Sequence, residues 1–248
     1  MDRQITALLC RTSERGEQAA AGTRELGELL GARIIGSPGA PRAAASHLDD
    51  LRDSRGCLLE AGGQLDDALE AGRIPILLAG ECSVCVSTLP TVVRRRPDVR
   101  VLWLDAHPDF NTPDTSLSGY LGGMCLAGAC GLWDTGFGAG LDPARVIMFG
   151  VRDVDGPERV ALDRNGVHRL GDSAQLAGME LFVHVDLDVL DPEFHPASVP
   201  APLGLVPAAL LEVLAYVAEE ATLVGAEITS AAPGYSQVAA EAIAPLLR

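Results

Sequence analysis

The stretch LWLDAHPDFNTP, residues 102–113, begins as an apolar run and breaks into Asp105, His107 and Asp109 at alternate positions. Alternate residues of an extended strand face one side. Strand geometry carried through the segment would therefore aim two carboxylates and an imidazole at one point. The apolar beginning, with VRV (99–101) before it, predicts a strand buried on both faces, the kind found in parallel sheets. A second stretch, LFVHVDLDVLD (181–191), repeats the pattern: Asp186 and Asp188 stand two apart after an apolar run, with Asp191 three further on.

Further short apolar runs flank these two. ITALLC (5–10), RIPILLAG (73–80), RVIMFGVRD (145–153) and TLVGAEIT (222–229) read as strands. Between them GTRELGELLGA (22–32), STLPTVVRRRP (87–97), PAALLEVLAYVAEEA (207–221) and SQVAAEAIAPLLR (236–248) read as helices. Buried strands alternating with amphipathic helices predict an α/β fold with a parallel sheet covered on both faces. Cys82, Asp105, Asp153 and Asp186 fall at the carboxyl ends of these strands, the edge where open parallel sheets bind ligands. The glycine-rich segment 118–141 predicts a long loop or lid joined to a small-residue helix, and Trp103 and Trp133 are expected in core or lid packing. Residues before about 74 carry no readable motif. With no linker or repeat, residues 1–248 are expected to form a single domain.

The formal net charge is −15, which argues against a nucleic-acid partner and against an anionic membrane surface. The first residues lack a signal-peptide core, and no apolar run reaches the ~18 residues that span a bilayer. A cytoplasmic protein is expected, with Cys10, Cys57, Cys82, Cys85, Cys125 and Cys130 as free thiols.

Alone, D-x-H-x-D also fits turn and cap residues. The second D-x-D after a second apolar strand favours a metal, because four carboxylates and an imidazole at neighbouring strand ends would otherwise repel. Oxygen ligands with a little nitrogen suit a hard or borderline divalent ion such as Mn²⁺, and this many carboxylates suggest two ions.

These motifs carry a family resemblance. DAHPDFNTPDTSLSG (105–119), HVDLDVLDPEFHPA (184–197) and AGECS (79–83) resemble, in order, signatures of the ureohydrolases, the arginase and agmatinase family. The resemblance implies a three-layer α/β/α arginase-like fold with a mostly parallel eight-stranded sheet, and a dimanganese site that hydrolyses a guanidino C–N bond. It implies metal ligands Asp105, His107, Asp109, Asp186 and Asp188. The remaining ligand of the family is a histidine where this chain has Cys82, which reads either as a softer thiolate ligand or as a buried free cysteine. Asp109 is the expected proton relay.

Asn111, Ser116, Ser118, Asp155 and Glu158 stand where arginases hold the amino-acid end of the substrate, although each also fits a cap or turn. Other positions depart. Gly122 replaces the family's shuttle histidine, and Ser230 replaces the glutamate that meets the guanidinium. A buried guanidinium without an anionic partner is costly, about 3–5 kcal/mol. The resemblance therefore points to a less basic substrate, Nω-hydroxy-L-arginine, with Ser230 meeting its N–OH. A branch of the family performs that hydrolysis in D-cycloserine biosynthesis, giving hydroxyurea and L-ornithine. Alternatives are an arginase or other guanidino or formimino acid hydrolase, and a metal-poor, non-catalytic amino-acid-binding homologue. The expected partner is a small guanidino amino acid, with a homo-oligomer possible.

Overall fold

Alternate residues of the central strands feed two separate apolar cores. In β4 (Arg100–Leu104), Val101 and Trp103 enter one core while Leu102 and Leu104 enter the other. β3 (Ile74–Ala79) divides in the same way, with Leu77 and Ala79 opposed to Ile76 and Leu78. A strand apolar on both faces must be covered on both. One cover comprises α2 (His47–Asp53), α3 (Arg55–Glu70), α4 (Cys85–Arg95), α5 (Cys125–Ala129) and α6 (Gly156–Arg164), through side chains such as Leu51, Leu58, Leu89, Leu126 and Leu162. The other comprises α1 (Gln18–Leu29), α7 (Pro207–Glu220) and α8 (Ser236–Ile243), through Leu26, Leu214 and Ile243.

The computed structural model describes residues 2–40 and 46–248. Among them eight strands form one sheet, completed by β1 (Arg3–Leu8), β2 (Arg33–Ile35), β5 (Val146–Phe149), β6 (His168–Arg169), β7 (Glu180–Asp186) and β8 (Thr222–Thr229). The order is β2-β1-β3-β8-β7-β4-β5-β6, and every neighbouring pair is parallel. After β3 the chain skips two places to lay down β4, and β7 and β8 later fill the gap. The carboxyl ends of β3, β8, β7 and β4 thus lie side by side at the centre, where the winding reverses.

Local chemistry sets several boundaries. α1 begins four residues earlier than the sequence pattern predicts and ends before Gly31, which takes a left-handed φ of 64°. Gly22 on its inner face is required by a close approach, since a Cβ there would collide with the Ala231 carbonyl just beyond β8. The segment before residue 74, unreadable by motif, holds β2, α2 and α3. β2 is only three half-exposed residues, and α3 carries Gly62 and Gly63, which dilute its helical signal. α2 has a capping box between Ser46 and Asp49.

One expectation is corrected. Cys10 and Cys57 form a disulfide, so they are not free thiols; Cys82, Cys85, Cys125 and Cys130 are free. The glycine-rich segment holds the expected small-residue helix, α5, between irregular stretches. Leu121, Met124, Cys125, Leu126 and Ala129 are fully buried, and α5 packs on α4. Trp103 is wholly buried. No helix among the described residues is long and apolar enough to cross a membrane.

Candidate active site

At the central carboxyl edge, Asp105, Asp109, Asp186 and Asp188 are all buried and His107 nearly so. They converge, but not by strand alternation. β4 ends at Leu104, and Asp109 takes a left-handed φ of 50°, a conformation aspartate tolerates. Backbone donors fix the loop instead. Asp105 Oδ1 accepts the His107 N–H at 2.6 Å, and Asp188 Oδ1 accepts the Ala106 N–H at 3.0 Å. The Asp109 carbonyl accepts N–H groups from Leu126 and Ala127, which ties the loop to α5. β7 likewise stops at Asp186, whose Oδ1 accepts the Asp188 N–H at 2.8 Å. Arg152 fastens the following loop by donating to the carbonyls of Asp188, Val189 and Ala201. Asp191 is outside this cluster and caps a turn, accepting N–H groups from Glu193 and Gly204.

Cys82 enters from the turn after β3. Its Sγ lies 2.7 Å from Asp186 Oδ2, 3.3 Å from Thr229 Oγ1 and 3.8 Å from Asp105 Oδ2. Thr229 and Ser230, at the end of β8, donate to the same Asp186 oxygen at 3.0 and 2.5 Å. His107 Nδ1 meets Asp188 Oδ2 at 2.9 Å and Asp105 Oδ1 at 3.5 Å.

The electrostatics of the cluster favour a cation. Burial, with Asp188 and Asp109 beside it, holds the Asp105 carboxyl well above its ordinary range. Burial raises Asp109 as well, and burial with Asp188 raises Asp186. Burial, then Asp186, Asp105 and Asp109, push the Cys82 thiol up. Burial pulls the His107 imidazole down, yet Asp105 and Asp188 outweigh it and carry it up to about 12. One imidazolium is too little charge for four buried carboxylates. Ligand atoms of Asp105, His107 and Asp188 lie within 4.8 Å of one another, as do those of Cys82, Asp105 and His184. An oxygen-rich set with imidazole and a thiol fits a divalent cation, whose charge would reverse each of these shifts.

A cavity of about 240 Å³ opens over this cluster. Asn111, Asp155, Glu158 and Ser230 line it, and Ser116 and Ser118 are not in its lining. Those two serines serve the turn instead, accepting N–H groups from Gly119 and Tyr120. Asp155 is both a cavity group and the N-cap of α6, accepting the Glu158 N–H at 3.0 Å. Its other oxygen takes the Asn111 amide at 3.1 Å. Glu158 accepts the Phe110 N–H at 2.8 Å, and burial, with Asp155 adding to it, pushes it up to about 7.

Sequence reasoning missed part of the cavity wall. Glu14 and Glu81 both line it and are buried. Glu14 Oε2 accepts the N–H groups of Thr12 and Ser13, and Glu81 Oε2 accepts the hydroxyls of Ser13 and Ser83. The second oxygen of each has no hydrogen-bond partner among the described residues. Burial and Glu14 push Glu81 up to about 7. Glu81 Oε1 lies over Gly122, filling the space that a side chain there would need. Glu81 was visible beside Cys82, but nothing in the sequence marks Glu14 as its neighbour, 67 residues earlier. His184, wholly buried two residues before Asp186 on β7, was missed as well.

The arginase family model matches residues 43–248. The chain is 37% identical over 247 residues to the Nω-hydroxy-L-arginine amidinohydrolase of Streptomyces lavendulae, covering 93% of this chain and 88% of that one. It is 32% identical over 187 residues to the arginase of Bacillus caldovelox, 63% of this chain and 62% of that one. In fold it resembles the Entamoeba histolytica arginase solved with L-ornithine, with a TM-score of 0.85 at 20% identity over 99% and 97% of the two chains. Three ordered motifs, a parallel sheet wound to bring them together, and these matches agree: the chain belongs to the arginase family.

Proposed function

We propose that this chain is a metal-dependent amidinohydrolase that converts Nω-hydroxy-L-arginine and water to hydroxyurea and L-ornithine. The observation that carries the substrate is Ser230, a hydroxyl on the cavity wall 2.5 Å from Asp186 where an arginase would present a carboxylate. It can exchange hydrogen bonds with an N–OH group and offers no charge to a guanidinium. The similarity to the Streptomyces lavendulae enzyme supports the same reading.

Cys82, Asp105, His107, Asp109, Asp186 and Asp188 are the residues that would hold the metal, which we assign as two Mn²⁺ ions. Such ions supply a water acidic enough to act as a nucleophile near neutral pH. Asn111, Asp155 and Glu158 on one wall would hold the α-amino and α-carboxylate groups and so place the guanidino carbon over the cluster. Asp109, buried at the cavity floor, would accept a proton from the attacking water and pass it to the departing ornithine amine. The Asp109 backbone, held by α5, fixes that carboxylate in place.

A second reading, hydrolysis of L-arginine, is favoured by Glu14 and Glu81, each with a carboxyl oxygen that has no hydrogen-bond partner among the described residues and would be open to a guanidinium N–H. Ornithine release from the two substrates, run side by side on the Mn²⁺-loaded protein, separates the readings. A preference of about a hundredfold for the hydroxylated substrate, ~2.7 kcal/mol, supports the first. Equal rates would refute the argument from Ser230.

A further inference from the structure

We propose that His184 is a ligand of this metal site, returning through β7 the imidazole that Cys82 removes from the turn after β3. The proposal rests on the reading that the cluster binds divalent ions, and is independent of the substrate.

His184 and Asp186 stand two apart on β7 and so share a face of the strand. The His184 side chain is wholly buried, and its Nε2 has no hydrogen-bond partner among the described residues. That atom lies 3.8 Å from Asp105 Oδ2, too far for a hydrogen bond. A ring nitrogen of His184, the Cys82 sulfur and an Asp105 oxygen all lie within 4.8 Å of one another, three ligand-type atoms around one point. A buried ring nitrogen left bare is costly unless something occupies the space it faces.

The other ring nitrogen is fully committed. His184 Nδ1 meets Glu227 Oε1 at 2.8 Å, across the β7–β8 register pair His184↔Glu227. Glu227 Oε2 in turn accepts the Thr88 hydroxyl of α4 at 2.6 Å. With Nδ1–H donated to the carboxylate, Nε2 keeps its lone pair, and this carboxylate–histidine arrangement is the usual support behind a metal-bound imidazole. The Trp103 ring stacks on the imidazole at 3.6 Å and 5°, so the ring cannot swing away. No other contact among the described residues uses this orientation. A histidine needed only for packing would not require a buried glutamate, a threonine and an indole to aim a bare nitrogen at Cys82 and Asp105.

The test uses the full chain without substrate. Mn²⁺ is titrated calorimetrically into the wild type, His184→Gln and His107→Gln, and the bound ions are examined by pulsed electron paramagnetic resonance for imidazole nitrogen coupling. The wild type is expected to show two coupled imidazoles and each variant one, with His184→Gln weakening one Mn²⁺ site by about tenfold or more. Wild-type affinity and unchanged nitrogen coupling in His184→Gln would overturn the proposal. If that variant does not fold, a structure of the Mn²⁺-loaded wild type decides. A metal–Nε2 bond supports the assignment, and Nε2 hydrogen-bonded to Asp105 with no metal contact refutes it. Bound Mn²⁺ with a single coupled imidazole overturns this assignment alone. No bound Mn²⁺ in the wild type overturns it together with the metal reading of the site.

Discussion

Ser230 offers the sharpest test because two effects at one residue can be separated. Its hydroxyl donates to Asp186 at 2.5 Å, and its backbone holds a left-handed φ of 59°. Replacing it with alanine removes the hydroxyl and keeps the strained backbone. Replacing it with glycine removes the hydroxyl and relieves the strain, worth about 1 kcal/mol. A hydrogen bond to a charged or strongly polar group contributes about 1.5–3 kcal/mol. If Ser230 reads the N–OH, both variants should lose roughly 10–150-fold in kcat/KM on Nω-hydroxy-L-arginine. Both should leave L-arginine within about threefold, and Ser230→Gly should unfold at higher denaturant than Ser230→Ala. The assay is ornithine release on both substrates alongside urea unfolding of the Mn²⁺-loaded protein. Equal losses on the two substrates would show that Ser230 acts by orienting Asp186, and the argument for a hydroxylated substrate would fall. Different kinetics for the alanine and glycine variants would assign the effect to the backbone instead.

Other consequences follow from packing and charge. Gly122→Ala would drive a Cβ into Glu81 Oε1 and the Tyr120 ring, so a loss of about 1–3 kcal/mol is expected on denaturant unfolding; a fully stable variant would mean that Glu81 is not held by Ser13 and Ser83. Cys57→Ser opens a disulfide spanning 47 residues and should cost up to about 4 kcal/mol, matched by reductant acting on the wild type; identical unfolding curves with and without reductant would argue that the bond does not form. Hydrogen bonds from Arg95, with Arg94 beside it, hold Asp66 down to about 2. Because the folded pKa is depressed, the pair stabilises above pH ~4 and loses that contribution as pH falls toward 2. The site is at the surface, so Asp66→Asn should cost at most about 1 kcal/mol at pH 7 and much less at pH 2, and an equal cost at both would refute the ion-pair account.

What the sequence by itself determined was everything carried by local periodicity. Apolar runs such as 99–104 and 181–185 specify buried strands because each is apolar on both faces, and that alone demands helices on both sides of the sheet. The spacing D-x-H-x-D followed by D-x-D marked the acidic cluster, since carboxylates crowded at neighbouring strand ends are costly to keep charged without a cation. Elements with weak periodicity, β2 and the glycine-bearing α3, were invisible because tertiary contacts and not propensity hold them. The means of convergence was also misread: Asp109 reaches the cluster through a left-handed turn anchored on α5, which strand alternation does not describe.

Only the tertiary structure decided which distant residues share the site. Cys10 meets Cys57, Glu14 meets Glu81 in the cavity wall, and Glu227 orients His184 toward Cys82 and Asp105. Glu14 meets Glu81 because β1 lies beside β3, and His184 reaches Cys82 and Asp105 because β8 and β7 enter between β3 and β4. A linear sequence carries the chemistry of its side chains, but their proximity is set by the winding of the sheet.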